Sequence, residues 1–126
     1  MFRRNNAHPV IRQFILRTAV LNYLGKDLRQ QYDEFCHLKA NLSKSSPKNG
    51  EDQEDEVQQV LSQLLEVQQL KTATSHRLLK REYNELFTYM MDKSELWDSP
   101  EYFKAKAALG AANHKLRACE PIKPMD

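Results

Sequence analysis

The stretch VQQVLSQLLEVQQLKTATSHRLLKREYNELFTYMMD, residues 57–92, contains neither proline nor glycine. Val57, Val60, Leu61, Leu64 and Val67 recur at three-four spacing, as do Leu79, Tyr83, Leu86, Phe87 and Met90, which is the pattern of an apolar stripe along a helix. A helix of roughly 36 residues rising 1.5 Å per residue reaches about 54 Å, longer than one compact layer needs. Between the two runs, KTATSH at residues 71–76 combines β-branched residues and serine with almost no apolar content. A kink or break is expected there, since such residues favour other conformations and a sustained coiled coil would not carry the gap.

Downstream, Ser99-Pro100-Glu101 marks a helix start, with serine as cap, proline in the first turn and an acid at the positive end of the dipole. The helix is read over 100–118, with six alanines permitting close approach to a neighbour, and Pro121 and Pro124 end it before a tail at 120–126. Upstream, SKSSPKNGEDQED at residues 43–55 has no apolar residue and holds the Asn49-Gly50 turn signal. It reads as a flexible acidic linker.

Before the linker, Pro9 suits the first position of a helix read over 9–42. Val10, Phe14, Leu21, Leu24 and Leu28 share one face, while Ile11, Ile15, Ala19 and Tyr23 widen it, so this helix needs cover on more than one side. Gly25 marks an expected bend. The fold class that follows is all-α. It is read as an irregular three- or four-helix antiparallel bundle, one domain over 1–126, organised around the long helix at 56–92.

Composition narrows the function classes. Three glycines leave no phosphate-cradling loop, and the net charge of +2 is too mild for a dedicated nucleic-acid module. That total hides an asymmetry: residues 1–26 carry Arg3, Arg4, Arg12, Arg17 and Lys26 and no acid, so all 17 acidic residues follow. The basic segment has three readings: a mitochondrial address, a first helix whose arginines meet an acidic partner, or a solvated end. No run approaches a membrane span, and nothing resembles a secretory signal, so an intracellular protein of the mitochondrial matrix or cytoplasm is expected.

His8, His37, His76, His114, Cys36 and Cys119 include no pair at metal-ligand spacing, and Cys36-His37 point about 100° apart on a helix. No catalytic residue, metal or cofactor is therefore expected. Leu61-Ser-Gln-Leu64-Leu65 has the LxxLL form of groove-docking helices, although a core helix needs the same pattern, and core burial is the reading taken. Ser46, before Pro47, is a candidate for proline-directed phosphorylation.

The aromatics Tyr83, Phe87, Tyr89, Trp97, Tyr102 and Phe103 gather around one helix-to-helix turn, as core or as a docking surface. The function expected is a non-catalytic protein–protein interaction protein, an assembly factor or accessory subunit. Its partners would be one or more proteins with an acidic patch, or a second copy through self-association. The candidate partner-binding residues are Arg3, Arg4, Arg12, Arg17, Phe14, Leu21, Trp97, Tyr102 and Phe103. The alternative is RNA association through the basic arm.

Overall fold

The computed structural model describes residues 8–44 and 52–120. It is all-helical. Helix α1 spans Pro9–Lys44, α2 spans Asp52–Asp92, and α3 spans Pro100–Ala118; a 3₁₀ turn at Ser94–Leu96 joins the last two. Among the described residues there is no strand. Every helix packs on both others.

α2 returns alongside α1, as cross-helix contacts at three levels show. Phe14 meets Tyr89, Asp27 meets Ser75, and the Gln58 side chain donates to the Leu42 carbonyl. α3 then runs in the direction of α1, from Tyr102 against Phe14 to Lys115 over Gly25. On α2, His76 Nε2 donates to the Leu116 carbonyl at 3.0 Å, satisfying one of the acceptors that the end of α3 leaves open.

Seven-residue spacing organises the core. Phe14, Leu21, Leu28 and Phe35 are buried on α1, and Leu79 and Leu86 on α2, the register at which one seam of a helix keeps facing its neighbour. Ala105, Ala108 and Ala112 let α3 approach closely. Phe14 sits edge-on between Tyr89 at 5.2 Å and Tyr102 at 5.7 Å. Its burial contributes about 2–3 kcal/mol before the aromatic geometry adds to it.

Three readings of the sequence change here. The chain does not break at Gly25, since α1 is helical throughout; the glycine is buried beneath the flexible end of the Lys115 side chain. Nor is α2 broken at 71–76. Thr72 and Ser75 are buried at seam positions, and their hydroxyls are bonded, Thr72 to the Gln68 carbonyl one turn back at 2.9 Å and Ser75 to Asp27 Oδ2 at 2.7 Å. Satisfied hydroxyls do not compete with the helix. Thirdly, the ends of the expected linker are helical, Ser43 and Lys44 in α1 and residues 52–55 in α2, where acids at a helix N-terminus meet a favourable dipole. The remainder, 45–51, lies outside the described residues, as does the 121–126 part of the tail.

Ser99 caps α3, accepting from the Tyr102 amide at 3.1 Å, with Pro100 at the first position.

Candidate functional site

The outer side of α1 carries the least expected surface. Phe14 and Leu21 are 0% and 1% exposed, yet within two residues of them Ile15 is 53%, Leu16 56% and Tyr23 69% exposed. Successive helical residues turn by about 100°, so one short segment is apolar on its inner and outer sides alike. Arg12 and Lys26 stand exposed on the outer side. The residues from Pro9 to Ala19 form a shallow depression of about 560 Å³ lined by Ile15, Leu16 and Arg12.

The arginines part company. Arg17 turns inward, half-buried, 3.7 Å from Glu85 Oε1 and 5.1 Å from the centre of the Tyr89 ring, which makes it a bridge between α1 and α2. Arg12 is exposed; Arg3 and Arg4 lie outside the described residues, as does Ser46. Phe14 and Leu21, candidates for partner binding, are core residues with no surface to offer. Tyr102 is half-buried against Phe14. Trp97 and Phe103 do face outward, at 64% and 57% exposure. The structure thus divides the candidate set between the core, the turn before α3 and the outer face of α1.

Reasoning from spacing passed over Leu16 and Val20 as surface residues and picked their inward neighbours. The available signal was the breadth of the apolar arc, which exceeds what one neighbouring helix covers. LxxLL is also corrected: Leu61 and Leu65 are half-buried but Leu64 is exposed, because it lies two heptads from Leu78, toward the side of the α1/α2 pair that α3 does not cover.

A second cluster lies where α3 ends. Arg29, Tyr32, Asp33 and Cys36 occupy successive turns of α1 near the buried Cys119. Burial pushes the Cys119 thiol above its ordinary range, with the Arg29 guanidinium opposing. The Tyr32 hydroxyl is raised by the neighbouring Cys36 and by burial, and Arg29 is raised by Asp33 and by the nearby Cys119 thiol. A thiol held neutral is a poor nucleophile, so this cluster ties α3 to α1.

A third feature is a cleft of about 320 Å³ between α1 and α3, lined by Ile15, Thr18, Asn22, Glu101 and Lys104. Among the described residues, no group of three or more His, Cys, Asp or Glu side chains gathers as metal ligands, and no helix is long and apolar enough to cross a membrane. Comparison with protein-family models, curated proteins and solved structures finds no match.

Proposed function

We propose that this is a non-catalytic helical interaction protein, an assembly factor or accessory subunit of a larger complex in the mitochondrial matrix or cytoplasm. The observation that carries the reading is the double-sided α1: Phe14 and Leu21 are spent on the core, while Ile15, Leu16, Val20 and Tyr23 remain exposed beside Arg12 and Lys26. Exposed large apolar residues clustered within a basic rim suit a protein partner with an acidic patch. Trp97 and Phe103 offer further exposed aromatic side chains at the same end of the bundle, where α3 begins beside Phe14.

The test is affinity purification of the tagged full chain beside an Ile15→Asp/Tyr23→Asp variant. Both positions are exposed, so the variant keeps its helical circular dichroism. A specific co-purifying protein should be recovered with the wild type and lost with the variant. Recovery that is equal for both ends the assignment to α1.

One observation favours RNA association as a second reading. Tyr23 shares a shallow groove with Lys26, Arg29 and Lys115, a stackable ring among cations, although Asp27 and Asp33 line the same groove. Binding of single-stranded RNA that weakens steeply with salt, and is lost on Tyr23→Ala, would favour it over a protein partner.

A further inference from the structure

α2 and α3 together present a flank that faces away from α1. On α2, Leu79, Leu86 and Met90 are buried, and the residue before each turns toward α1: Leu78 lines a groove with Asp27, Glu85 meets Arg17, and Tyr89 meets Phe14. Successive residues turn by about 100°, so the residues after them, Lys80, Phe87 and Met91, turn the opposite way, toward α3. His76, which follows the buried Ser75, marks that flank by its bond to the Leu116 carbonyl. On α3, Ala105 is buried and Lys104 before it lines the cleft with α1, which sets Lys106 after it on the α2 flank.

Two stripes at three-four spacing follow. α2 presents Arg77, Lys80, Asn84, Phe87 and Met91, all exposed; α3 presents Phe103, Lys106, Gly110, Asn113 and Arg117, exposed except for the half-buried Asn113. The two helices run antiparallel, with Tyr89 and Tyr102 both against Phe14 and His76 against Leu116. Met91, Phe87 and Phe103 therefore gather near the turn, while Lys80, Arg77 and Arg117 lie toward the other end, with Lys106 between. Neither stripe holds an acid. The six acids between Arg77 and Arg117 stand elsewhere: Glu82 pairs with Arg81, Glu85 with Arg17 and Asp92 with Lys93, Glu101 lines the α1/α3 cleft, and Glu95 and Asp98 follow Met91 in the turn.

We propose that this flank docks a helix of a protein partner, apolar where it meets Phe87, Met91 and Phe103 and acidic where it meets Lys80, Arg77 and Arg117. Charge selects the acid. Among the described residues Lys80, Lys106 and Arg117 take part in no salt bridge, so they are open to a partner's carboxylates. Gly110 selects a helix. A glycine inside a helix costs stability relative to alanine, and nothing lies within 4 Å of the Cβ it lacks, so packing within the chain does not require it. A further helix laid against α2 and α3 does, because two backbones approach most closely over a residue without a side chain. This surface is separate from the outer face of α1 and does not depend on it.

The probe is a synthetic helical peptide matched to the 19 residues of α3, with leucines along one face of one half and glutamates along the same face of the other. Titrated into the isotope-labelled full chain, it should move the amide resonances of Lys80, Phe87, Lys106 and Gly110, with binding that weakens as salt rises. Lys80→Glu/Lys106→Glu should lower the affinity at least about tenfold. Gly110→Leu should lower it as much while raising the melting temperature, since leucine is the better helix former and meets open space. The same peptide with lysines in place of its glutamates should bind at least about tenfold more weakly.

Absence of shifts with the glutamate peptide overturns the proposal, as does equal binding of the lysine version or indifference to Gly110→Leu. Should Lys80→Glu/Lys106→Glu fail to fold, Lys80→Gln/Lys106→Gln carries the same comparison. Shifts at these amides from an oligouridylate or from anionic vesicles, with none from the peptide, also overturn it. Shifts confined to Ile15 and Tyr23 would end this proposal and leave the α1 docking face standing. The Ile15→Asp/Tyr23→Asp variant should bind the peptide as the wild type does.

Discussion

Ser75→Ala removes the hydroxyl that donates to Asp27 Oδ2 at 2.7 Å across the α1/α2 seam. Ser75 is buried and Asp27 half-buried, and among the described residues the carboxylate keeps Gln31 Nε2, at 3.4 Å from its other oxygen. Losing a hydrogen bond to a charged group destabilises by about 1.5–3 kcal/mol. Alanine is the better helix former by about 0.5 kcal/mol, so the net loss expected is about 1–2.5 kcal/mol. Thr72→Val, one turn away, should behave differently. Its proton is shared between the Gln68 carbonyl at 2.9 Å and the Gln31 carbonyl at 3.1 Å, and the Gln31 carbonyl also accepts from Gln68 Nε2 at 3.0 Å.

Both acceptors of Thr72 belong to helix interiors, so none is orphaned, and one β-branched residue replaces another. The change should stay within about 1 kcal/mol. Urea denaturation followed by circular dichroism measures both. With a slope of about 1.5 kcal/mol per molar for a chain of this size, Ser75→Ala lowers the midpoint by about 0.7–1.7 M and Thr72→Val by less than about 0.7 M. Equal losses in the two variants would refute the distinction between an orphaned carboxylate and a shared acceptor.

Two further outcomes follow from single positions. Gly110→Ala adds a Cβ with nothing within 4 Å and should raise the melting temperature by about 3–5 °C through helix propensity alone. Gly25→Ala meets Lys115 Cδ at 3.3 Å and Nζ at 3.4 Å, the end of a flexible chain, so its gain should be smaller but still positive; a lower melting temperature for Gly110→Ala would contradict a helical residue 110. Cys36 is exposed and Cys119 buried, so a thiol reagent should modify Cys36 in the native protein and Cys119 only on unfolding, as read by mass spectrometry; equal rates would refute the burial. The raised Cys119 thiol favours the neutral form in the fold. Its stabilisation is complete below the ordinary thiol value of 9.0 and is lost as pH rises through and above it, so thermal stability should decline in that alkaline window.

Periodicity reveals which arc of a helix is apolar, and for α2 that sufficed to place Leu79 and Leu86 in the core. It does not say how much of the arc a neighbour covers. On α1 the arc from Val10 to Leu24 is so wide that Phe14 and Ile15 look alike in the sequence; only the positions of α2 and α3 decide that one is enclosed and the other open. The same limit hid the role of residues 71–76. Low helix propensity there is a local property, whereas the partners that quiet those hydroxyls, Asp27 and the Gln31 carbonyl, lie more than forty residues away. Ser99 and Pro100 were legible because a cap is complete within three residues.

The length of α3 links the polar layer to the open face. With 19 residues it rises about 28 Å, roughly half the length of α1, and its end lies beside Gly25, Arg29 and His76. The layer made by Asp27, Gln31, Gln68, Thr72 and Ser75 stands where that third helix gives out. Beyond it the enclosed side chains are apolar, Phe35 buried and Leu38, Leu61 and Leu65 half-buried, and apolar side chains tolerate a slide along the seam. Hydrogen bonds do not: a shift of α2 by one heptad sets Gln31 against Leu61 and Leu65 and leaves its amide unpaired in the seam. One directional layer therefore fixes the register of a two-helix arm that α3 does not reach, and with it the position of Val57, Val60 and Leu64 on the uncovered side.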